Sequence, residues 1–432
     1  MPDWTLNLNR EELKNIANGA CIYGSGGGGA ATLIDPLIEV ILEVAKQKKA
    51  TTLEVVDLNT LNDNAGIAIP AAAGSPASAE DRDFAGKLTK EALKAFNELK
   101  DKEEQHTEKK ITHVLAVEVG VINTLIPIYV AVESGLPLID GAGGLRSFPI
   151  LPLSSFASQN IPVSPLVLAS PEKTITYTIE SSDTTPGAEA AAAEAPMRGI
   201  LSTPDFGNMA GIAFWTMTGL DAKKATVRCT LTKAKELGQV LQEAKDSGID
   251  PVDAVLGQMT GSRKLLEKGR LDYSENSTSG SLDYLKVFFK KVKAENAKDT
   301  EQETYVRIYA VNENLIAWND QNTSPIAIGP ALMCYLTCDG DVFTNADLET
   351  IKDKDIAIIG APPQNLQKSP SGYIEYVIDC YLSILHGIGY GGAYADIEDL
   401  PDPEGSTSAT IRGLPRKRFS EYSKRQVMSW RG

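Results

Sequence analysis

Histidine is nearly absent from this 432-residue chain: only His106, His113 and His386 occur. That leaves little material for a His-rich metal centre. Cysteine is scarce and scattered, at Cys21, Cys229, Cys334, Cys338 and Cys380, an odd number without framework spacing, which points to reduced thiols. Cys334 and Cys338 have the separation of a metal pair but sit in an apolar run, ALMCYLTC, with no second pair. They read as core cysteines of a strand, and no metal or cofactor is expected. No apolar run approaches the ~18 residues that cross a bilayer. The opening residues, MPDWTLNLNREELK, lack the basic flank and apolar core of a signal peptide, so a cytoplasmic protein without membrane contact is expected. Net positive charge is missing as well. At a formal charge of −15 the surface repels phosphate backbones, which argues against a nucleic-acid partner. Any anion site must then be built from concentrated local donors.

With 42% hydrophobic residues the chain can bury a large core, enough for two domains. Asn9 is placed to cap a helix over NREELKNIANGA, and after the turn GSGGGGA a second helix, DPLIEVILEVAKQKK, has Asp35 as its cap and Pro36 at its first position. TLEVVDL and AGIAIPA read as strands, and residues 80–104 as a long charged helix. The clearest unit follows: the apolar strand ITHVLAVEVG, a helix capped by Asn123 and ended by Gly135, and the short strand Leu136–Ile139. Strand–helix–strand makes the two strands parallel. An N-terminal α/β domain with a mainly parallel sheet is therefore expected over 1–165, the Pro- and Ser-rich stretch before Pro165 marking the passage onward. An Ala-rich helix near 187–196 and another over Leu231–Lys245 come next. From Tyr284 on, YLKVFFKKVKAE, TYVRIYAVNENLIAWN, SPIAIGPALMCYLTC and KDKDIAIIGAPP are strand-like, giving a C-terminal β-rich α/β domain over 166–397. The remaining 398–432 form a basic tail, either a solvated, partly flexible one or a segment that docks on an acidic neighbouring subunit.

Three features bear on chemistry. Gly24–Gly29 fits GxGxxG literally, but the preceding strand could only be the short CIY and Asp57 is too distant for the acidic partner of a dinucleotide fingerprint. A flexible turn and a nest of backbone amides for an anion remain, with Gly26, Gly27 and Gly28 as candidate ligand-binding positions. Glu118 and Asp140 end two apolar strands joined by one helix, so both carboxylates should lie on the same sheet edge, where open parallel sheets bind ligands. They are candidate catalytic groups, or else caps and loop charges. DGAGGLRSFP favours the first reading, because its glycines, Gly143 among them, bring backbone close to something and Arg146 offers a bidentate cation. His113 alternates within a strand and reads as core; His386, among glycines in LHGIGYGG, could reach a cleft.

GSGGGGA, EVGVINTLIPIYVAVESGLPLIDGAGGLRSFP, SPLVLAS and MTGLDAKKATVRCTLTKAKELG, with weaker likeness at LEKGRLDY and NENLIAWN, resemble the S-methyl thiohydantoin desulfurase-like family. The resemblance covers most of residues 10–365. It implies the two-domain plan above and two kinds of member. Some members hydrolyse a thiohydantoin ring substituent, and others accompany hydantoinase or oxoprolinase proteins. Carried over, it places Glu118, Asn123, Asp140, Gly143, Arg146, Phe148 and Pro149 on the family's motifs. Departures stand at Ala142 and Ile150, where the family has acids, at Leu145 for Gly and at Thr232 for Ser. The expected function is a hydrolase-like enzyme acting on a small hydantoin- or thiohydantoin-type ring, with Asp140 or Glu118 as base, Asn123 orienting the ring, and Arg146 with the glycine amides holding an oxo or carboxylate group. The alternative is a non-catalytic partner of a hydantoinase- or oxoprolinase-type enzyme, or a small-molecule binding protein. Either would work as a homo-oligomer or beside such a subunit.

Overall fold

The computed structural model describes residues 3–75, 82–107, 110–293, 303–363, 369–401 and 403. The chain opens with β1 (Trp4–Asn7), α1 (Arg10–Tyr23), α2 (Ile34–Lys48), β2 (Thr52–Val56), β3 (Gly66–Gly74), α3 (Arg82–Thr107), β4 (Ile111–Ala116), α4 (Val121–Ser134) and β5 (Leu138–Ala142). There follow α5 (Ser155–Ser158), β6 (Leu166–Ala169), β7 (Thr174–Tyr177), α6 (Ala188–Leu201), β8 (Met209–Thr218), α7 (Gly219–Ala225), β9 (Val227–Arg228), α8 (Thr230–Ser247) and α9 (Pro251–Gln258). The second half holds β10 (Arg263–Ser279), β11 (Leu282–Lys291), β12 (Tyr305–Val311), β13 (Glu313–Asn319), β14 (Ala327–Ile328), β15 (Leu332–Thr337), β16 (Ile356–Ala361) and α10 (Tyr373–Gly387).

The first sheet runs β1-β2-β5-β4-β3-β8-β6-β7, with β9 added beside β5. Its centre, β2-β5-β4-β3, is parallel, as the strand–helix–strand reading requires. Antiparallel strands extend it on both sides. The second sheet, β14-β13-β12-β11-β10-β16-β15, is antiparallel throughout. The molecule is thus two-domain α/β with a strand-rich second half. The chain does not leave the first sheet near Pro165: it continues through β6 to β9, because β8 pairs with β3 and β9 returns to β5. Among the described residues no helix is long and apolar enough to cross a membrane. Beyond Pro403 the tail lies outside the described residues.

Local chemistry explains most boundaries. Asn9 caps α1 as expected, its side chain accepting from Glu12 N at 2.9 Å. CIY belongs to the end of that helix, so no strand precedes the glycine turn. Asp35 is not a cap: α2 begins at Ile34, after a short 3₁₀ turn whose Ala31 and Thr32 amides donate to Asp347 of the second half. Asn123 is not the cap of α4 either. Gly120 holds that position, and Asn123 lies inside the first turn with its side chain committed elsewhere. Helix α4 is buried over Val121–Val132 and stops at Gly135 in the left-handed region. The two halves share a core: Ala20, Ile22 and Tyr23 of α1 pack with Leu237 and Leu241 of α8 and with Leu315, Ile316 and Cys334 of the second sheet. Helices α1 and α8 touch at Gly19 and Gly238, where an added Cβ would fall 1.8 Å from a carbonyl oxygen of the partner helix.

Candidate functional site

Three backbones cross where the halves meet. Strand β4 ends just before Glu118, the Gly120–Val121 step starts α4, and the glycine turn after α1 lies against both. Gly28 O accepts from Ile122 N at 2.9 Å. A Cβ on Gly28 would sit 2.6 Å from the Gly120 Cα and 2.3 Å from Ser147 Oγ, and its φ of +78° is left-handed, so only glycine fits. The turn is also stitched to the second sheet: Ser25 O accepts from Asn314 N, Gly26 O from Asn345 N, and Met333 N donates to Ser25 Oγ.

Beside this crossing lies a cavity of about 80 Å³ lined by Gly28, Gly29, Glu118, Asn123, Arg198, Asn312 and Glu313, with Phe148, Met197, Met209 and Phe214 among its apolar walls. Glu118 comes from the first half and Glu313 opens β13 of the second. Both are buried. Glu118 Oε1 accepts from Asn123 Nδ2 at 2.8 Å and Oε2 from Phe148 N at 2.9 Å. Burial nonetheless pushes its carboxyl up to about 7, against the pull of those donors and of Arg146. Glu313 Oε1 accepts from Gly28 N at 3.4 Å, while Oε2 is buried without a hydrogen-bond partner among the described residues. Burial, and then the charge of Glu118, hold Glu313 well above the ordinary carboxylate range. Two carboxyls that resist joint ionisation, one rich in donors and one poor, favour a single shared proton residing on Glu313.

The structure divides the residues singled out from the sequence. Glu118, Asn123 and Gly28 line the cavity. Asn123 works through others: its Nδ2 also reaches Ala72 O at 3.2 Å and its Oδ1 accepts from Ala72 N at 2.9 Å, so it ties Glu118 to β3. Gly27 stands one step back, where a Cβ would come 2.3 Å from Glu313 Oε1; Gly26 is packed the same way on Asn314. The acceptor met by the amide of Gly28 is thus the protein's own Glu313 carboxyl. Asp140 shares the C-terminal sheet edge with Glu118, since β4 and β5 are parallel neighbours. Its oxygens, however, accept from Leu231 N, Thr232 N and Thr232 Oγ1, and it does not line the cavity. It caps α8, because β9 brings that helix's first turn to β5. Arg146 does not line the cavity either. Its guanidinium donates to Ala331 O at 2.7 Å, Asn314 O at 2.6 Å, Pro330 O at 3.5 Å and Ser147 O at 3.2 Å, and stacks over Tyr381. Gly143 is a packing glycine against Val117 O and the Phe156 ring. His113 lies in β4 and His386 in α10; neither lines the cavity.

Of the charged lining residues, two were not singled out from the sequence, Arg198 and Glu313. Arg198 donates to Glu194 Oε1 at 2.7 Å, to Pro149 O at 2.6 Å and to Ser281 O at 3.2 Å. Glu313 left a signal, an acid in the strand-like run NENLIAWN; Arg198, in an Ala-rich helix, left none.

The model described as S-Me-THD-like, N-terminal domain, matches residues 11–179, and that described as S-Me-THD-like, C-terminal domain, matches residues 188–376. The chain belongs to the S-Me-THD-like family. No curated protein matches it. A crystal structure of a protein from Chromobacterium violaceum superposes with a TM-score of 0.71 at 22% identity, over 91% of this chain and 99% of that one. That likeness establishes the two-domain fold of this S-Me-THD-like chain and nothing about its chemistry.

Proposed function

We propose that the chain is a hydrolase-like enzyme that acts on a hydantoin- or thiohydantoin-type ring, with Glu118 and Glu313 as its acid–base pair. The observation that carries this reading is the buried pair itself, contributed by both halves and converging on one small cavity. About 80 Å³ accommodates roughly five to eight water-sized groups, the scale of such a ring with its exocyclic atoms. Glu118, oriented by Asn123 and the Phe148 amide, is the base. Glu313, with its unpartnered Oε2, is the acid.

On a ring with sulfur on the carbon between the two nitrogens, water attacks that carbon. The O–C bond forms as Glu118 takes the water proton and Glu313 protonates the ring nitrogen. In the second half the new hydroxyl returns a proton to Glu313, the C–S bond breaks, and the departing sulfur takes the proton held by Glu118. The ring carbonyl and a thiol are released, and the pair again holds one proton. Asp140, the other base suggested by sequence, is occupied at α8 and has no part in this scheme.

The test is incubation with S-substituted thiohydantoins and plain hydantoins, following thiol release and ring opening, beside thermal-shift binding. Turnover that both Glu118→Gln and Glu313→Gln abolish, while binding persists, supports the proposal. Binding without turnover in the unmodified protein would instead assign it to the binding or partner-subunit class.

A further inference from the structure

A larger cavity, of about 280 Å³, lies at the other end of β13, lined by Arg307, Tyr309, Trp318, Asn319, Asp320 and Asn322. Glu313 opens that strand and Trp318 stands near its close, roughly 17 Å further along an extended chain. The proposed hydrolysis makes no use of this pocket. Its volume falls just below the ~300 Å³ at which pockets for small organic ligands begin, so it suits one ring-sized molecule. The walls are fixed before any ligand arrives. Trp318 packs edge-to-face on two tyrosines, Tyr309 at 5.3 Å and 82° and Tyr390 at 6.1 Å and 67°. Tyr390 is itself tied through its hydroxyl to Ala393 O at 2.9 Å.

The polar lining is set with the same precision. Arg307 and Asp320 form an ion pair, so their charges cancel, and the second Asp320 oxygen accepts from Tyr305 N at 3.1 Å. Arg307 uses Nη2 for that pair, which leaves its remaining N–H groups as donors. Buried Asn319 donates to Pro403 O at 3.0 Å, and its Oδ1 accepts from Asn322 Nδ2 at 2.8 Å. Turning the Asn322 amide over would set two oxygens together, so Asn322 Oδ1 is an acceptor fixed in place. Neither that oxygen nor the Tyr309 hydroxyl has a hydrogen-bond partner among the described residues. The pocket thus offers a donor, an acceptor and a group that is both, beside half-buried aromatic rings and with its ion pair balanced. A sugar hydroxyl donates and accepts at once, and a sugar ring carries several of them beside an apolar C–H face. A phosphate-bearing ligand is disfavoured by the net charge of −15.

We propose that this pocket binds one neutral hexose unit, stacked by its C–H face on Trp318 and hydrogen-bonded through its hydroxyls to Tyr309, Asn322 Oδ1 and Arg307. The unit is either a free sugar or the end of a glycan. This site stands independently of the proposed hydrolysis, and its tests read binding, not turnover.

Saturation-transfer NMR of the full chain with a panel of free hexoses, and with oligosaccharides ending in them, is the measurement. Transfer concentrated on the C–H protons of one ring face is expected. Equal affinity for a hexose and its oligosaccharide supports a free sugar as the ligand, and tighter binding of the oligosaccharide supports a glycan end. Trp318→Ala should weaken binding at least tenfold, with melting temperature read alongside to check the fold. Asn322→Ala, which removes an acceptor on a turn and no core packing, should weaken it several-fold in a protein that melts like the parent. No transfer from any sugar at millimolar concentration, binding unchanged in both variants, or a nucleoside that displaces the sugars and depends on Trp318 would each overturn the proposal.

Discussion

Glu313 offers the cleanest change at the scale of one residue. A glutamine there keeps an oxygen for Gly28 N and turns its amide toward the side where Oε2 has no partner, so Glu313→Gln should fold without loss. It also removes the proton on which the proposed acid depends, and turnover should fall by roughly 10²–10⁴-fold. Unchanged turnover would remove Glu313 from the mechanism. Titration gives a second expectation. The Glu118 carboxyl rises from its ordinary 4.5 to about 7 on folding, so the folded chain binds more protons than the unfolded one in that window. The stability this group contributes is fully present below 4.5 and is lost as pH rises through about 7. Glu313 is shifted in the same direction and adds to the slope. Melting temperature followed against pH should decline over this range, and less steeply in Glu313→Gln. A flat profile in the unmodified chain would contradict the shifted pair. Glu118 was legible in the sequence because it ends a long apolar strand beside a helix start. For Glu313 only the acid in a strand-like run was legible, not its pairing with Glu118, because that partner lies in the other half of the chain and the pairing is created only by folding.

At the scale of elements, a strand end and a helix start compete for the same acid. Asp140 stands where a parallel sheet presents catalytic groups, and the sequence alone could not reveal that β9 delivers α8 to the same spot. With its carboxylate capping that helix, Asp140→Ala should cost about 1–2 kcal/mol in unfolding free energy. Turnover per folded molecule should stay near normal. A large loss of turnover at unchanged stability would return Asp140 to the chemistry. The glycine turn belongs to this scale as well. Gly27→Ala places a methyl carbon 2.3 Å from Glu313 Oε1, which must shift, and should weaken ligand binding and turnover together, checked by titration and rate. Strand–helix–strand, the capped α1 and the apolar strands of the second half were all readable from period and punctuation. Strand β10 was not read as one: its Arg263–Ser279 run is mostly charged or polar and exposed, so it carries little of the alternation by which half-buried strands announce themselves.

For the molecule as a whole, the seam between halves decides whether a site exists at all. Glu118 belongs to one side and Glu313 to the other, and the shared core, the glycine turn and Arg146 hold them in register. Arg146 is buried and reaches from the first half to the carbonyls of Asn314, Pro330 and Ala331 in the second. Its planar fork spans several acceptors at once, which a lysine's single ammonium does not. Hydrogen bonds to a charged donor contribute roughly 1.5–3 kcal/mol each without adding fully, so Arg146→Lys should cost roughly 3 kcal/mol or more. The loss falls on the seam, where the halves would come apart before either melts. Calorimetry of the variant should therefore resolve a lower-temperature transition ahead of the main one, whereas Asp140→Ala should only shift a single transition. Turnover should fall in Arg146→Lys in step with the fraction of joined halves, although the residue does not line the cavity. A variant as stable as the parent, with only ligand affinity reduced, would show that Arg146 serves the ligand and not the seam.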